Sequence, residues 1–206
     1  MDLHLIPGAA PTDAERAAVD RLLGPAPTAW QGGDRASSDM RSARGGEAAR
    51  GRRHLLLPVL EAVQARGGWI SPGALNYVCQ RLTVPPAEAF GVASFYALLS
   101  TEPRPPRVLH VCDDIACRTA GAEQLCAELE ARLGPAGKPS PDGGATWLRS
   151  PCLGFCERAP AAFLQITGEE PREWTTAPAD TGALVAELRA GRCQRAPSST
   201  RGAPRP

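Results

Sequence analysis

The sequence predicts an α/β protein in which a short helical segment precedes a small open α/β domain. Three observations carry that expectation. Apolar residues between 54 and 100 recur at helical spacing, with glycine and proline at the helix ends. After Pro103-Arg104-Pro105-Pro106 the period turns extended. Beyond that proline cluster the elements read strand, helix, strand, strand, strand, helix.

In chain order, Thr12 with Glu15 forms a capping box, and Val19, Leu22 and Leu23 supply an apolar stripe before Gly24-Pro25 stops the helix. From Gly24 to Arg53 the chain is rich in Gly, Ser and Arg without apolar periodicity, so residues 1–53 read as a leader with one short helix and a flexible linker. Residues 54–106 then read as a helical domain. Leu55, Leu56, Val59, Leu60 and Val63 share one helix face up to Gly67-Gly68. Ser71 caps a second helix, with Pro72 at its first position and Leu75, Val78, Cys79 and Leu82 inward. Pro85-Pro86 opens a third, whose Phe90, Val92, Ala93, Phe95 and Tyr96 are expected to fill a core shared by the three helices.

Residues 107–191 read as the α/β domain. Arg107–Cys112 is a buried strand; Thr119 caps a helix burying Ala122, Leu125, Cys126, Leu129 and Leu133; 138–144 is a turn-rich loop. Thr146–Leu148 and Ala161–Ile166 are strand candidates, Glu173–Thr176 a weaker one, and a helix from Thr181 to Ala190 ends at Gly191. Residues 192–206 are expected to be a disordered tail.

Composition excludes more than it selects. A chain of 206 residues with 43% hydrophobic residues can bury a core, and a formal charge of +1 provides no field favouring nucleic acid or an acidic membrane surface. No apolar run reaches the roughly 20 residues of a membrane span, and Met1-Asp2-Leu3-His4 lacks the basic start of a secretory signal, so a cytoplasmic protein is expected. In a reducing compartment, seven cysteines point to metal or redox chemistry rather than disulfides.

Four of the seven form two pairs. Cys112 and Cys117 follow the first strand, and Cys152 and Cys156 precede a later one. Each pair is expected on a loop at one end of the sheet, where two thiolate pairs can meet as a two-iron cluster requires, each iron taking two thiolates and two bridging sulfides. Gly154 lets backbone N–H groups approach sulfur, and Ile115, Ala116, Leu153 and Phe155 are expected to limit water. Asp113 and Asp114 either oppose addition of an electron or form a solvated loop tip. Structural zinc is the alternative, although zinc modules usually use shorter and more equal spacers. Cys79 and Cys126 read as core, Cys193 as a free thiol in the tail, and His110 as a structural histidine.

Val111-Cys112-Asp113-Asp114-Ile115-Ala116-Cys117, Gly121-Ala122-Glu123 and Cys152-Leu153-Gly154-Phe155-Cys156-Glu157-Arg158-Ala159-Pro160 follow one family's pattern in order. So do Gly68-Trp69-Ile70-Ser71-Pro72, Val84-Pro85-Pro86 and Gly91-Val92-Ala93-Ser94-Phe95-Tyr96. Over about residues 54–190 the chain resembles the thioredoxin-like [2Fe-2S] component, the E subunit, of NADH-quinone oxidoreductase and its equivalents in NAD-linked formate dehydrogenases and NAD-reducing hydrogenases. The resemblance implies a thioredoxin-like domain after the helical segment and a [2Fe-2S] cluster on Cys112, Cys117, Cys152 and Cys156. It also implies a neighbouring flavoprotein subunit that carries FMN and binds NAD(H). The expected role is one-electron relay within that complex, with no catalysis by this chain alone and no direct insertion into a membrane, the complex placing it peripherally at the membrane's inner face. A zinc-stabilised interaction module and a freely diffusing ferredoxin are the competing readings. The leader 1–53 and the segment Gly168-Glu169-Glu170-Pro171-Arg172-Glu173-Trp174 depart from the family's pattern.

Overall fold

The chain is seen in a computed structural model that describes residues 5–26 and 51–191. The linker expected between Gly24 and Arg53 lies largely outside the described residues, as do the tail from 192 and Cys193. Two compact units emerge: one takes the chain up to Val108 together with Gln165–Glu173, the other Leu109–Leu164 together with the chain from Trp174 onward.

The first unit is helical. Helix α1, Asp13–Leu23, starts on the capping box: Glu15 N–H donates to Thr12 Oγ1 at 3.2 Å, and Thr12 N–H donates to Glu15 Oε2 at 2.7 Å. It packs onto α2, Leu56–Gly67, and α3, Pro72–Leu82. Although α1 belongs to the leader in sequence, its Val19 and Leu23 enter the same apolar cluster as Val59, Leu60, Val63, Val78 and Leu82. Polar clamps hold it there. Arg81, 1% exposed, pairs with Asp20 and donates to Gly24 O at 2.5 Å, while Tyr77 Oη donates to Asp20 Oδ1 at 2.7 Å.

Helix α2 ends because Gly68 takes the left-handed conformation at φ +84°. Its buried Gln64 then organises the chain around residues 98–100: Nε2 donates to Leu98 O at 2.5 Å and Oε1 accepts Ser100 N–H at 2.6 Å. Ser71 caps α3 by accepting Ala74 N–H at 3.0 Å, with Pro72 at the first position. Asn76 on α3 binds the backbone of Ile6 and Ala9, all at 2.9 Å. A Cβ at Gly73 would stand 2.0 Å from Ala10 O, so the incoming segment lies directly on the helix backbone.

Helix α4, Pro86–Phe95, corrects one expectation. Ala89 and Ala93 are the residues it buries, whereas Phe90, Phe95 and Tyr96 are 51%, 80% and 44% exposed. The helix is apolar around most of its circumference, so pattern alone does not say which stripe faces in. The two alanines, one turn apart, let α4 approach closely and turn the aromatic bulk outward.

The α/β part is a four-stranded sheet in the order β2-β1-β3-β4. Strand β1, Arg107–Cys112, lies inside the sheet and is buried along nearly its whole length, which explains its mostly apolar residues. It is followed by a short helix α5, Ile115–Thr119, then α6, Ala122–Leu133, and β2, Ala145–Ser150. Thr119 ends α5 rather than capping α6, whose N-cap is Gly121. Trp147, 1% exposed, donates Nε1–H to Gly134 O at 2.8 Å and so fixes β2 against the end of α6.

Strands β3, Ala162–Ile166, and β4, Arg172–Thr176, precede α7, Thr181–Ala190, which packs on α6. Asp180 caps α7 by accepting Ala183 N–H at 2.9 Å. Glu187 on α7 is buried and accepts from Trp174 Nε1–H and Thr176 Oγ1–H, both at 3.1 Å. Those bonds secure the edge strand β4. Among the described residues no helix is long and apolar enough to cross a membrane.

Candidate functional site

The site is built where β1 and β2 end. Cys112 is the last residue of β1, and its N–H donates to Ala161 O at 3.0 Å, just before β3 begins. Asp113 N–H donates to Ser150 O at 3.1 Å, on the final residue of β2. The start of the first cysteine loop is thereby fastened to both neighbouring strands.

Cys117 does not sit on a loop as the spacing suggests. It lies inside α5, whose single turn is closed by Arg118 N–H donating to Asp114 O at 2.8 Å. That turn aims the Cys117 thiol inward, and both Cys112 and Cys117 are at most 2% exposed. They share a small apolar cluster with Ala122 and Ala161, against which Leu153, Phe155, Ala159 and Ala177 pack.

The second pair faces outward. Cys152 and Cys156 are exposed and stand 3.4 Å apart, sulfur to sulfur. Two thiolates on one tetrahedral centre with metal–sulfur bonds of about 2.3 Å stand about 3.8 Å apart, so shifts of tenths of an ångström admit a shared metal. Gly154, at φ +81°, curls the loop back so that its N–H donates to Cys152 Sγ at 3.4 Å. Cys156 opens a short 3-10 turn through Arg158, closed by Arg158 N–H donating to Phe155 O at 2.9 Å.

The charge of each pair bears on the other. Burial first, then its hydrogen bond to Cys112 and the charges of Cys112 and Cys156, push the Cys117 thiol up to about 11. Cys156 is raised mainly by its hydrogen bond to Cys152, with Cys112 also contributing. Among the described residues no three His, Cys, Asp or Glu side chains gather around a single point. The donors come as two pairs, the arrangement that distributes four thiolates over two irons. An all-sulfur donor set, an apolar inner wall and a backbone N–H aimed at sulfur fit that group.

Two expectations about the surroundings change. Ile115 is 80% exposed and shields nothing, because the short helix turns it away from the thiols. Asp113 is neither bare nor a solvated tip: its Oδ2 accepts from Arg149 Nη1 at 3.1 Å, and its side chain is 23% exposed. Arg149 escapes a reading by motif because it sits on β2, outside the cysteine segments. A cation three residues ahead of Cys152 on a strand end is the available signal. Cys79 and Cys126 are wholly buried, on α3 and α6, as their helical positions predict.

Residues 46–188 match the family described as thioredoxin-like [2Fe-2S] ferredoxin. A curated relative named NADH-quinone oxidoreductase subunit 2, from Thermus thermophilus, is 38% identical over 143 residues, covering 69% of this chain and 77% of the relative. The NADH-quinone oxidoreductase E subunit from Pseudomonas aeruginosa is 33% identical over 52% of this chain and 66% of the relative. Its counterpart of the same name in Escherichia coli K12 is 32% identical over 50% and 63%. The chain thus spans just under two thirds of the length of the latter two. Among solved structures, an air-oxidized NAD+-reducing [NiFe]-hydrogenase is similar in fold at a TM-score of 0.51 and 24% identity, over 66% of this chain and 23% of that one.

Proposed function

The chain belongs to the thioredoxin-like [2Fe-2S] ferredoxin family, and from that premise we propose that it relays single electrons within an NADH-linked oxidoreductase, through a [2Fe-2S] cluster held by Cys112, Cys117, Cys152 and Cys156. The observation that supports this reading is the presence of two cysteine pairs, one buried and one exposed, whose charges bear on each other, within the segment that matches the family. Bound there, the cluster supplies a one-electron store.

The residues around it divide the work. Cys112 and Cys117, from β1 and α5, and Cys152 and Cys156, from the curled loop, would together hold the cluster. Gly154 N–H at the Cys152 sulfur favours the form carrying extra negative charge. Ala122, Ala161, Leu153 and Phe155 keep water from the inner side. The exposed Cys152/Cys156 edge is the short route for electrons to and from a partner.

That partner is, on this reading, a flavoprotein subunit carrying FMN and binding NAD(H); the relatives' names, subunits of NADH-quinone oxidoreductase, support an NADH-linked complex. The test is anaerobic purification of the full chain from its native cell. The expected product is a brown protein with two irons and two sulfides per chain, EPR-active after reduction, accompanied by a flavoprotein. A colourless zinc protein refutes the relay. An iron-loaded chain that travels alone points instead to a freely diffusing ferredoxin. Mass spectrometry of the companion distinguishes an NADH-quinone oxidoreductase from an NAD-reducing hydrogenase or a formate dehydrogenase.

A further inference from the structure

We propose that Arg149 is a positioning residue that sets the cluster's reduction potential by holding Asp113 and Glu123 in a charge-compensated network beside Cys112. The inference rests on the four-cysteine reading and adds to it a residue outside the cysteine motifs.

The geometry is specific. Arg149 Nη1 lies 3.1 Å from Asp113 Oδ2 and 3.2 and 3.1 Å from the two oxygens of Glu123. Arg118 Nε stands 3.5 Å from Glu123 Oε1. Asp113 directly follows Cys112, and Arg149 lies three residues before Cys152 on β2, so the network touches both cysteine segments. Glu123 stands in the first turn of α6, the helix that follows Cys117. The charges of Arg149, Asp113, Glu123 and Cys112 also bear on the buried Cys126 thiol on α6, which is raised chiefly by burial.

The charge balance gives the direction. Two carboxylates, Asp113 and Glu123, face two guanidiniums, Arg149 and Arg118, for a local net charge of zero. Reduction adds one negative charge to an already anionic cluster, so any change in that local balance moves the potential. Removing Arg149 leaves −1 and disfavours reduction; removing the Asp113 charge leaves +1 and favours it. Ion pairs this exposed contribute little to stability, with Arg149 at 40% and Glu123 at 52% side-chain exposure. Their consequence is redox tuning rather than folding.

The experiment is an EPR-monitored redox titration of the loaded full chain, with iron and sulfide assayed on every sample. Poised at the wild-type midpoint, Arg149→Gln should lower the reduced-to-oxidised ratio about three- to sixfold, the effect of one elementary charge in a half-solvated site. Asp113→Asn should raise it comparably, and the double variant should return near wild type. Arg149→Lys, which keeps the charge, should shift it least. The Arg149→Gln shift should shrink in concentrated salt. Arg149→Gln and Asp113→Asn moving the ratio the same way, or neither moving it in fully loaded protein, overturns the inference. If Arg149→Gln fails to load, Asp113→Asn decides alone, and an unchanged ratio counts against the proposal. A wild-type chain that takes up no iron and sulfide sinks the four-cysteine reading instead, and this inference with it.

Discussion

The asymmetry between the cysteine pairs makes a quantitative claim about thiol chemistry. In the cluster-free chain, Cys117 is 2% exposed and its thiol is pushed up to about 11 from an ordinary 9.0. Alkylation proceeds through the thiolate. At pH 8 a thiol at 9.0 is about 9% ionised and one at 11 about 0.1%, so acidity alone slows Cys117 by about 90-fold, before its burial is counted. Cys152 and Cys156 are exposed, and Cys156 is raised principally by Cys152 itself, a neighbour that alkylation of either partner removes. The expected order is Cys152 and Cys156 first, Cys117 far behind, and Cys79 last.

The assay is pulsed iodoacetamide labelling of the metal-free chain at pH 8 under argon, with each cysteine quantified by peptide mass spectrometry. A parallel pulse on the iron-loaded chain should leave all four site cysteines unlabelled. Two results refute the reasoning separately. Cys117 labelled within a few-fold of Cys152 means that the inner pair is not buried as described. Full labelling of any one of the four in loaded protein means that this cysteine is not a ligand.

Three further outcomes follow from single residues. A Cβ at Gly154 meets nothing within 4 Å, so Gly154→Ala should cost only the left-handed backbone penalty of about 1–2 kcal/mol, and it should lower the cluster potential by disturbing the N–H at Cys152; chemical unfolding and redox titration read the two effects, and Gly154→Asn should be milder in both. Gln64→Ala strands Leu98 O and Ser100 N–H together and should destabilise the helical unit by about 2–5 kcal/mol in urea denaturation, whereas a loss below about 1 kcal/mol contradicts the clamp. Cys79 is raised to about 12 by burial first and the charge of Glu88 second. Above pH 9 the unfolded chain loses this proton while the folded chain keeps it, so stability falls between pH 9 and 12 by at most about 4 kcal/mol, and Cys79→Ala should flatten that part of the urea-midpoint profile.

What was legible in the sequence was what short-range chemistry decides. Thr12 with Glu15, Ser71 with Pro72, and glycine at positions 68 and 191 mark helix ends because their partners are a few residues away. The strand ending at Cys112 reads as buried because its residues are mostly apolar with no regular polar alternation. Helix α4 failed for the opposite reason: with apolar residues on most sides, its inner stripe is chosen by what packs against it, and Ala89 and Ala93 won over Phe90 and Phe95 by being small. The burial of the leader helix α1 was illegible likewise, since its clamp to Arg81 spans a long separation in the chain.

The same distinction explains why four cysteines stand out in the sequence and Arg149 does not. Cysteine carries its chemistry in its identity, so two close pairs at strand ends already point to one site once a sheet places those ends together. Arg149 carries no such mark. An arginine on a strand is ordinarily a solvated charge, and only the pairing of β1 with β2 brings it onto Asp113, 36 residues earlier in the chain. Residues that bind a cofactor therefore announce themselves by type, whereas those that tune it are defined by the charges the fold assembles around them. If that distinction is right, substitutions of the cysteines should change iron content, and substitutions of Arg149 or Asp113 should change the potential at constant iron content.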